Sequence, residues 1–372
     1  MAQTADILVI GGGIAGLSAA AELSEHARVT VIEAEDQIGF HSSGRSATML
    51  HYALGDRVVR ALTLASRPYF EHGPEGDLVL GRPMAVLIHA REDERGALDA
   101  LEAEIAPFAT LERLEAAGVH DLCPLLKEDA RFGIADRNGI RLDPHALLQA
   151  SLRRLRANGG ELHTGRRIAS IKHQSSGWTV TTDTGDHYSA AILINGAGSW
   201  ADQIGHMAGV RPLGLQPKRR TIITFDAPAG TDLARLPFAK TVGDELYFAP
   251  ESGRLFASPM DEVPSDPCDA QPDELEVALA AYRMEERTAV KVERVHSRWA
   301  GLRTFTPDRR PAVGFAQDVD GFFWLAGQGG FGLQTSPAMA RIAASLILGT
   351  AWPVRDVAEE ELSPRRFFGE AA

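Results

Sequence analysis

Residues 6–33 read DILVIGGGIAGLSAAAELSEHARVTVIE, and the fold follows from how this stretch divides. Ile7-Leu8-Val9-Ile10 is a short uninterrupted apolar run, the pattern of a strand buried on both faces. Gly11-Gly12-Gly13-Ile14-Ala15-Gly16 follows at once, so G-x-G-x-x-G falls where strand becomes helix. Small and apolar residues at helical spacing run from Leu17 to Leu23, and Arg28–Ile32 reads as a second strand ending at Glu33. Gly11 permits the tight turn, Gly13 lets a pyrophosphate approach the backbone, and Gly16 lets helix and strand pack closely. The phosphate is expected at the helix N-terminus, where free N–H groups and the helix dipole converge. Glu33 stands about 20 residues past the glycines, where an acid meets a ribose hydroxyl. The glycines alone are a weak signal. With both strands, the helix and the acid in register, they point to dinucleotide binding.

The rest of the chain sets outer limits on that reading. Its 372 residues allow a large core and about two domains. Hydrophobic residues make up 44% and charged residues 24%, as in an ordinary soluble globular protein. A formal charge of −12 argues against a nucleic-acid surface, which needs clustered Lys and Arg. The N-terminus enters a strand without a basic segment or cleavage site. No uncharged apolar run approaches the roughly 18 residues of a membrane span. Cys123 and Cys268 stand apart, with neither disulfide nor zinc spacing. A cytoplasmic location without a metal is expected.

Further along, Gly39-Phe-His-Ser-Ser-Gly-Arg-Ser-Ala47 is a polar loop whose serines and Arg45 could meet a pyrophosphate; a solvated loop is the equal alternative. Asp56–Tyr69 and Glu92–Glu104 have helical periodicity, Leu78–Leu80 and Met84–His89 read as strands, and Leu111–Leu126 reads as helical. Asp143 and Pro144 open a helix as cap and first residue, and Asn158-Gly159-Gly160 closes it. Glu161–Thr164, Arg167–His173, Trp178–Thr182 and Ser189–Asn195 read as strands, the last ending in a glycine turn, Gly196-Ala-Gly198-Ser-Trp200. From Val210 to Val295, strands at Thr221–Phe225, Glu245–Phe248 and Leu255–Ser258, with a helix at Glu274–Glu286, suggest an antiparallel second domain. The cluster Lys218-Arg219-Arg220 is by itself more simply a solvated charge run. Strand Phe322–Ala326 leads to Gln328-Gly-Gly-Phe-Gly-Leu-Gln-Thr-Ser336, a second glycine loop, with the helix expected to start at Pro337 behind a Ser336 cap.

Taken together these segments resemble the FAD-dependent oxidoreductases of the D-amino-acid oxidase and sarcosine oxidase type, over essentially the whole length. The resemblance rests on the N-terminal motif, the Ser42–Ala47 loop, the Asn195–Trp200 turn and Thr306-Pro-Asp308-x-x-Pro311-x-Val-Gly314. It implies an α/β (α+β) fold, with a Rossmann-like FAD-binding domain and an antiparallel-sheet substrate domain interleaved in sequence. Residues 1–80, 141–210 and 299–372 fall to the first, and 81–140 and 211–298 to the second. FAD contacts are implied at Gly11, Gly13, Ile14, Ala15, Gly16, Glu33, Ala34, Ser42, Ser43, Arg45, Ser46, Ala47 and Ile168. They are implied also at Gly196, Ala197, Gly198, Trp200, Gly301, Gly329, Gly330, Phe331, Gly332, Leu333, Gln334 and Thr335.

Gly39–Ala47, Arg211–Arg220, Trp299–Phe305 and Gln328–Ser336 further resemble segments of the bacterial D-arginine dehydrogenases. That implies a substrate carboxylate clamped by Arg220 and Arg303 and bonded by Tyr247, with Gln334 beside the flavin. Paired guanidiniums suit a carboxylate better than lysines do. Three positions depart from the pattern, for Met84 replaces a Glu that meets the substrate guanidinium, Leu54 a pocket Tyr, and Met49 a pocket His. A cationic side chain there lacks a counter-charge. The expected substrate is therefore a D-amino acid, or related amino or imino acid, with an apolar or neutral side chain. Its Cα gives hydride to flavin N5, and the imino acid hydrolyses to a 2-oxo acid and ammonia. His51 and Tyr52 are candidates to assist amine deprotonation. Neither cysteine lies near Gly301–Thr306, where some relatives attach flavin, so non-covalent FAD is expected. Oxygen or a quinone-type acceptor reoxidises it. The alternatives are an FAD-dependent 2-hydroxy-acid dehydrogenase and a flavin-binding subunit of a larger complex.

Overall fold

The computed structural model describes residues 3–73, 79–175 and 177–368. At its centre a six-stranded sheet runs in the order Glu161–His163, Val29–Ile32, Ile7–Ile10, Ile192–Asn195, Phe322–Ala326, Ala312–Phe315. The first five strands are parallel and the last is antiparallel. Ile7 and Val9 pack on one face with the helices Ile14–Leu23, Pro144–Ala157, Arg57–His72 and Gly332–Leu348, while Leu8 and Ile10 pack on the other. The apolar run is continuous because both faces are covered. On the second face lies a four-stranded sheet of Gln3–Thr4, His187–Ala190, Gly177–Thr182 and Ile168–Gln174.

A nine-stranded sheet forms the second body. Its order is Val263–Pro264, Gln216–Phe225, Arg254–Ser258, Tyr247–Glu251, Phe238–Thr241, Val86–Ala90, Phe132–Asp136, Glu112–Glu115, and Val295–Phe305 pairs with Gln216–Phe225 as well. All its pairs are antiparallel except Phe238–Thr241 with Val86–Ala90. Its two faces carry separate apolar clusters, one of which contains Met49, Tyr52, Met84, Ile222, Phe238 and Tyr247. A small sheet of Met49–Leu50, Ile140–Leu142 and Gly81–Pro83 lies beside it.

Several local expectations change. Leu111–Leu126 is not one helix: Glu112–Glu115 is an edge strand paired with Phe132–Asp136, and the helix is Ala116–Leu122. Of the strand expected at 78–80, Leu78 lies outside the described residues, and the paired strand is Gly81–Pro83. The run at Ser189–Asn195 is broken at Ala191, where the chain passes from the four-stranded to the six-stranded sheet. The last long helix starts at Gly332, not Pro337, and Phe331 takes the cap position. Pro337 has no N–H for the Leu333 carbonyl, and the Ser336 hydroxyl donates to that oxygen instead, at 3.0 Å. Ser336 therefore mends the helix at its proline. The Asp143 cap holds, its carboxylate accepting from the Ala146 N–H at 2.9 Å.

Candidate active site

The glycine turn is built by exclusion. A Cβ on Gly16 would stand 2.0 Å from the Gly11 oxygen, and one on Gly11 would stand 2.5 Å from the Gly196 oxygen. Gly11 also takes φ +110°, which side chains rarely adopt. Gly13 caps the Ile14–Leu23 helix without a side-chain hydrogen bond. Ser43 reaches into this turn, and its hydroxyl accepts from the Ile14 N–H at 3.0 Å. The Glu33 carboxylate accepts from Gly12 N–H at 2.5 Å and from Glu35 N–H at 2.8 Å.

Two cavities meet at this turn and share Gly13, Ser42, Ser43, Gly196 and Gly198. The first, about 240 Å³, adds Gly11, Glu33, Ala34, Ile168, Ala197 and Trp200. The second, about 180 Å³, adds Ile14, Ala15, Arg45, Ser46, Ala47, Gly301, Gly329, Gly330, Gly332, Leu333 and Gln334. They lie at the carboxyl ends of the parallel strands, where open α/β sheets bind ligands. Gly16, Phe331 and Thr335 are not on either wall. Gly16 is a packing residue, Phe331 packs on Val59 and Phe305, and the Thr335 hydroxyl donates to the Phe331 carbonyl at 3.0 Å.

The second cavity also gathers Met49, His51, Leu54, Arg220, Tyr247 and Arg303. Strand pairing brings the arginines together. Arg220 faces Gly301 and Lys218 faces Arg303 across the ladder, so Lys218, Arg220 and Arg303 leave the same face. Arg220 Nε donates to the Asp261 carbonyl at 2.8 Å. Arg303 Nη1 donates to Glu262 at 2.9 Å, and its guanidinium lies so close to Gly330 that a Cβ there would stand 2.2 Å from Nε. Burial, then the neighbouring Arg220, pushes Arg303 down to about 9. Its charged form is under-compensated, and an incoming carboxylate would relieve that. Glu262 is shared with Lys218 at 3.0 Å and Arg309 at 2.8 Å. Burial opposes its ionisation, but hydrogen bonds from Arg309 and Lys218, with Arg303 nearby, hold it at about 2.

Other expected site residues have different surroundings. Tyr52 and Met84 are not on the cavity wall; both are buried in the same apolar cluster as Met49, with Tyr52 stacked on Phe108. The Arg45 guanidinium, though on the cavity wall, is taken up by protein acceptors. It bonds the carbonyls of Phe40, Ala270 and Ala300 and the Asp269 carboxylate, stapling the loop to the second body. The Gln334 amide donates to the His51 carbonyl at 3.3 Å and Thr63 Oγ1 at 2.8 Å, so it holds the Met49–His51 segment in place. His51 Nδ1 accepts from the Ala53 N–H at 3.3 Å, which places a neutral ring's proton on Nε2. Burial, then the charge of Lys240, pushes His51 down to about 3. It is neutral at ordinary pH and a weak base.

Sequence reasoning missed Ile222, Phe238 and Lys240 on the second wall, and had Gln328 only as the first residue of the second glycine loop. Lys240 carried no spacing signal, being a single cation in the four-residue strand Phe238–Thr241. Gln328 opens that loop with both amide atoms buried and, among the described residues, unpartnered. A polar ring edge would satisfy them.

The family described as FAD dependent oxidoreductase (DAO) matches residues 6–346. The chain belongs to that family. FAD is accordingly its cofactor, and the glycine turn, Glu33 and the orphaned Gln328 amide fit that group. Among curated proteins it is similar to "FAD-dependent oxidoreductase domain-containing protein 1" of Bos taurus, 26% identical over all of this chain and 86% of the relative. Among solved structures, glycine oxidase of Geobacillus kaustophilus superposes with TM-score 0.85 at 20% identity, covering 99% of this chain and 100% of that one. L-proline dehydrogenase of P. horikoshii superposes with TM-score 0.86 at 22% identity, covering 99% and 98%. These two likenesses concern the fold. Among the described residues no helix is long and apolar enough to cross a membrane.

Proposed function

We propose that the protein oxidises the Cα–N bond of an amino or imino acid, D in configuration, with an apolar or neutral side chain. The products are a 2-oxo acid and ammonia, or the corresponding amine. The observation that carries this reading is the placing of Arg220, Arg303 and Tyr247 in one cavity with the Gly329–Gly330 loop. Two guanidiniums on one face of a strand pair suit a carboxylate, and an under-compensated Arg303 gains from binding it. Tyr247, stacked on Phe238 at 5.2 Å, offers a hydroxyl to the same group. Bound FAD supplies the hydride acceptor. Gly11, Gly13, Ser43 and Glu33 would hold its phosphates and ribose, and Ile14, Ala15, Gln328 and the second glycine loop would hold its ring. The chain's own part is orientation, bringing one C–H into reach and excluding water.

His51 is too weak a base to take the amine proton, so the substrate binds with its amine neutral or loses that proton to water. Leu54 and Met49 on the wall, with Ile222 and Phe238, favour a side chain without positive charge, and Lys240 opposes a cation directly. This separates the protein from the D-arginine dehydrogenases that its segments resemble. Neither Cys123 nor Cys268 lines either cavity, which supports dissociable FAD. Residues 1–80, 141–210 and 299–372 form the FAD-binding part in this reading, with the Val295–Phe305 strand crossing into it from the substrate part. The test is a screen of D- and L-amino acids, N-methyl and cyclic amino acids and 2-hydroxy acids for anaerobic flavin reduction. Ammonia release with a neutral D-amino acid supports the reading. Reduction by 2-hydroxy acids alone refutes it.

A further inference from the structure

The second cavity is lined by a lysine that takes no part in the reaction above. Lys240, 1% exposed, lines it among Met49, Ile222, Phe238 and Tyr247. It faces Tyr247 across an antiparallel pair, so both side chains leave the same face of the sheet. Its Nζ donates to the Thr241 carbonyl at 3.2 Å and pairs with the Asp244 carboxylate. An ammonium has three N–H donors, and these contacts leave one. A buried ammonium among apolar side chains is costlier than a methionine or leucine in the same place. A wall made only for hydrocarbon has no use for it.

The counter-charge comes from outside the cavity. The Asp244 side chain is 63% exposed, on the turn between two strands, and its backbone takes φ 56°, uncommon for a residue with a side chain. Lys240 thus lines the substrate cavity while the carboxylate that balances it is exposed to solvent.

We propose that Lys240 sets substrate preference by donating a hydrogen bond to an acceptor oxygen, amide or carboxylate, at the far end of the substrate side chain. The proposal rests on the reading that Arg220 and Arg303 take the α-carboxylate, and it changes the side-chain class from apolar to acceptor-bearing. Because Asp244 balances the charge, a neutral amide is served as well as a carboxylate.

The experiment follows anaerobic reduction of the FAD-loaded enzyme by D-glutamine, D-glutamate and D-norleucine, in the wild type, K240M and D244N. The wild type prefers D-glutamine or D-glutamate to D-norleucine in kcat/KM. K240M lowers that ratio at least about tenfold, the effect of one charge-assisted hydrogen bond. K240M keeps the wild-type flavin absorbance and unfolding midpoint, which shows a folded variant. D244N leaves the cation unbalanced and moves the preference from D-glutamine toward D-glutamate. An unchanged ratio in K240M with D-norleucine still oxidised overturns the proposal and leaves the amino-acid reading standing. Equal loss toward all three overturns it too, by assigning Lys240 to the fold. If no D-amino acid reduces the wild-type flavin, the reading itself fails and the proposal with it.

Discussion

At the scale of the residue, the proposed chemistry depends on charges that are incompletely balanced inside the protein. Arg303 donates one N–H to Glu262 and lies against Gly330, and burial beside Arg220 destabilises its charge. Replacing it with methionine removes one side of the proposed clamp. R303M is expected to lower kcat/KM about 10²- to 10³-fold, mainly through KM, as for truncation of a buried charge partner. Steady-state kinetics measures this, and an unchanged KM contradicts it. His51 makes the opposite case. With its pKa near 3, it stays neutral across the working range. kcat/KM should therefore rise with pH as the substrate amine loses its proton, and H51Q should leave the midpoint of that rise in place. A limb that disappears in H51Q would make His51 the base.

At the scale of the element, the site is a consequence of strand register. Gln216–Phe225 and Val295–Phe305 form one long antiparallel pair, and a slip by one residue would send Arg220 or Arg303 to the other face. The glycines are as strict. A Cβ on Gly16 would meet the Gly11 oxygen, so G16A should yield a protein that folds poorly around FAD, with visible flavin absorbance after purification well below wild type. Full flavin content in G16A contradicts that. The 6–33 unit was legible because each of its parts is local: an apolar run, glycines at fixed spacing, a helix and an acid. The Val295–Phe305 strand was not, because exposed Ser297 and Arg298 and the interrupting Gly301 hide an alternation completed by its partner. Arg220 was recognisable only through resemblance, since a run of Lys and Arg reads as solvated until pairing buries it. Arg45 lies on the cavity wall as its loop suggested, but its bonds to carbonyls and Asp269 depend on segments brought near only by the fold. Met84 and Tyr52 are buried in the apolar cluster and not on the wall, a distinction that sequence does not encode.

At the scale of the whole molecule, two buried histidines, His51 and His89, link stability to pH. Burial, with Lys240 for His51 and Arg287 first among the charges near His89, pushes both to about 3, against 6.5 in an open chain. The unfolded chain binds more protons between those values, so stability rises with pH across this window and is complete above it. Going from pH 7.5 to 5 should cost about 4 kcal/mol in total for the two groups. Urea unfolding at both values measures the difference, and H89L should remove about half of it; equal midpoints at the two pH values would contradict the burial of neutral rings. The two bodies meet where the cavities join, and there the account stands or falls as a whole. The most direct measurement is anaerobic mixing of the purified, FAD-loaded protein with a neutral D-amino acid, in the wild type and in a variant carrying both R220M and R303M. The account predicts bleaching of the flavin with release of ammonia in the wild type, and little bleaching in the double variant. Equal bleaching in both, or bleaching only by 2-hydroxy acids without ammonia, would contradict it.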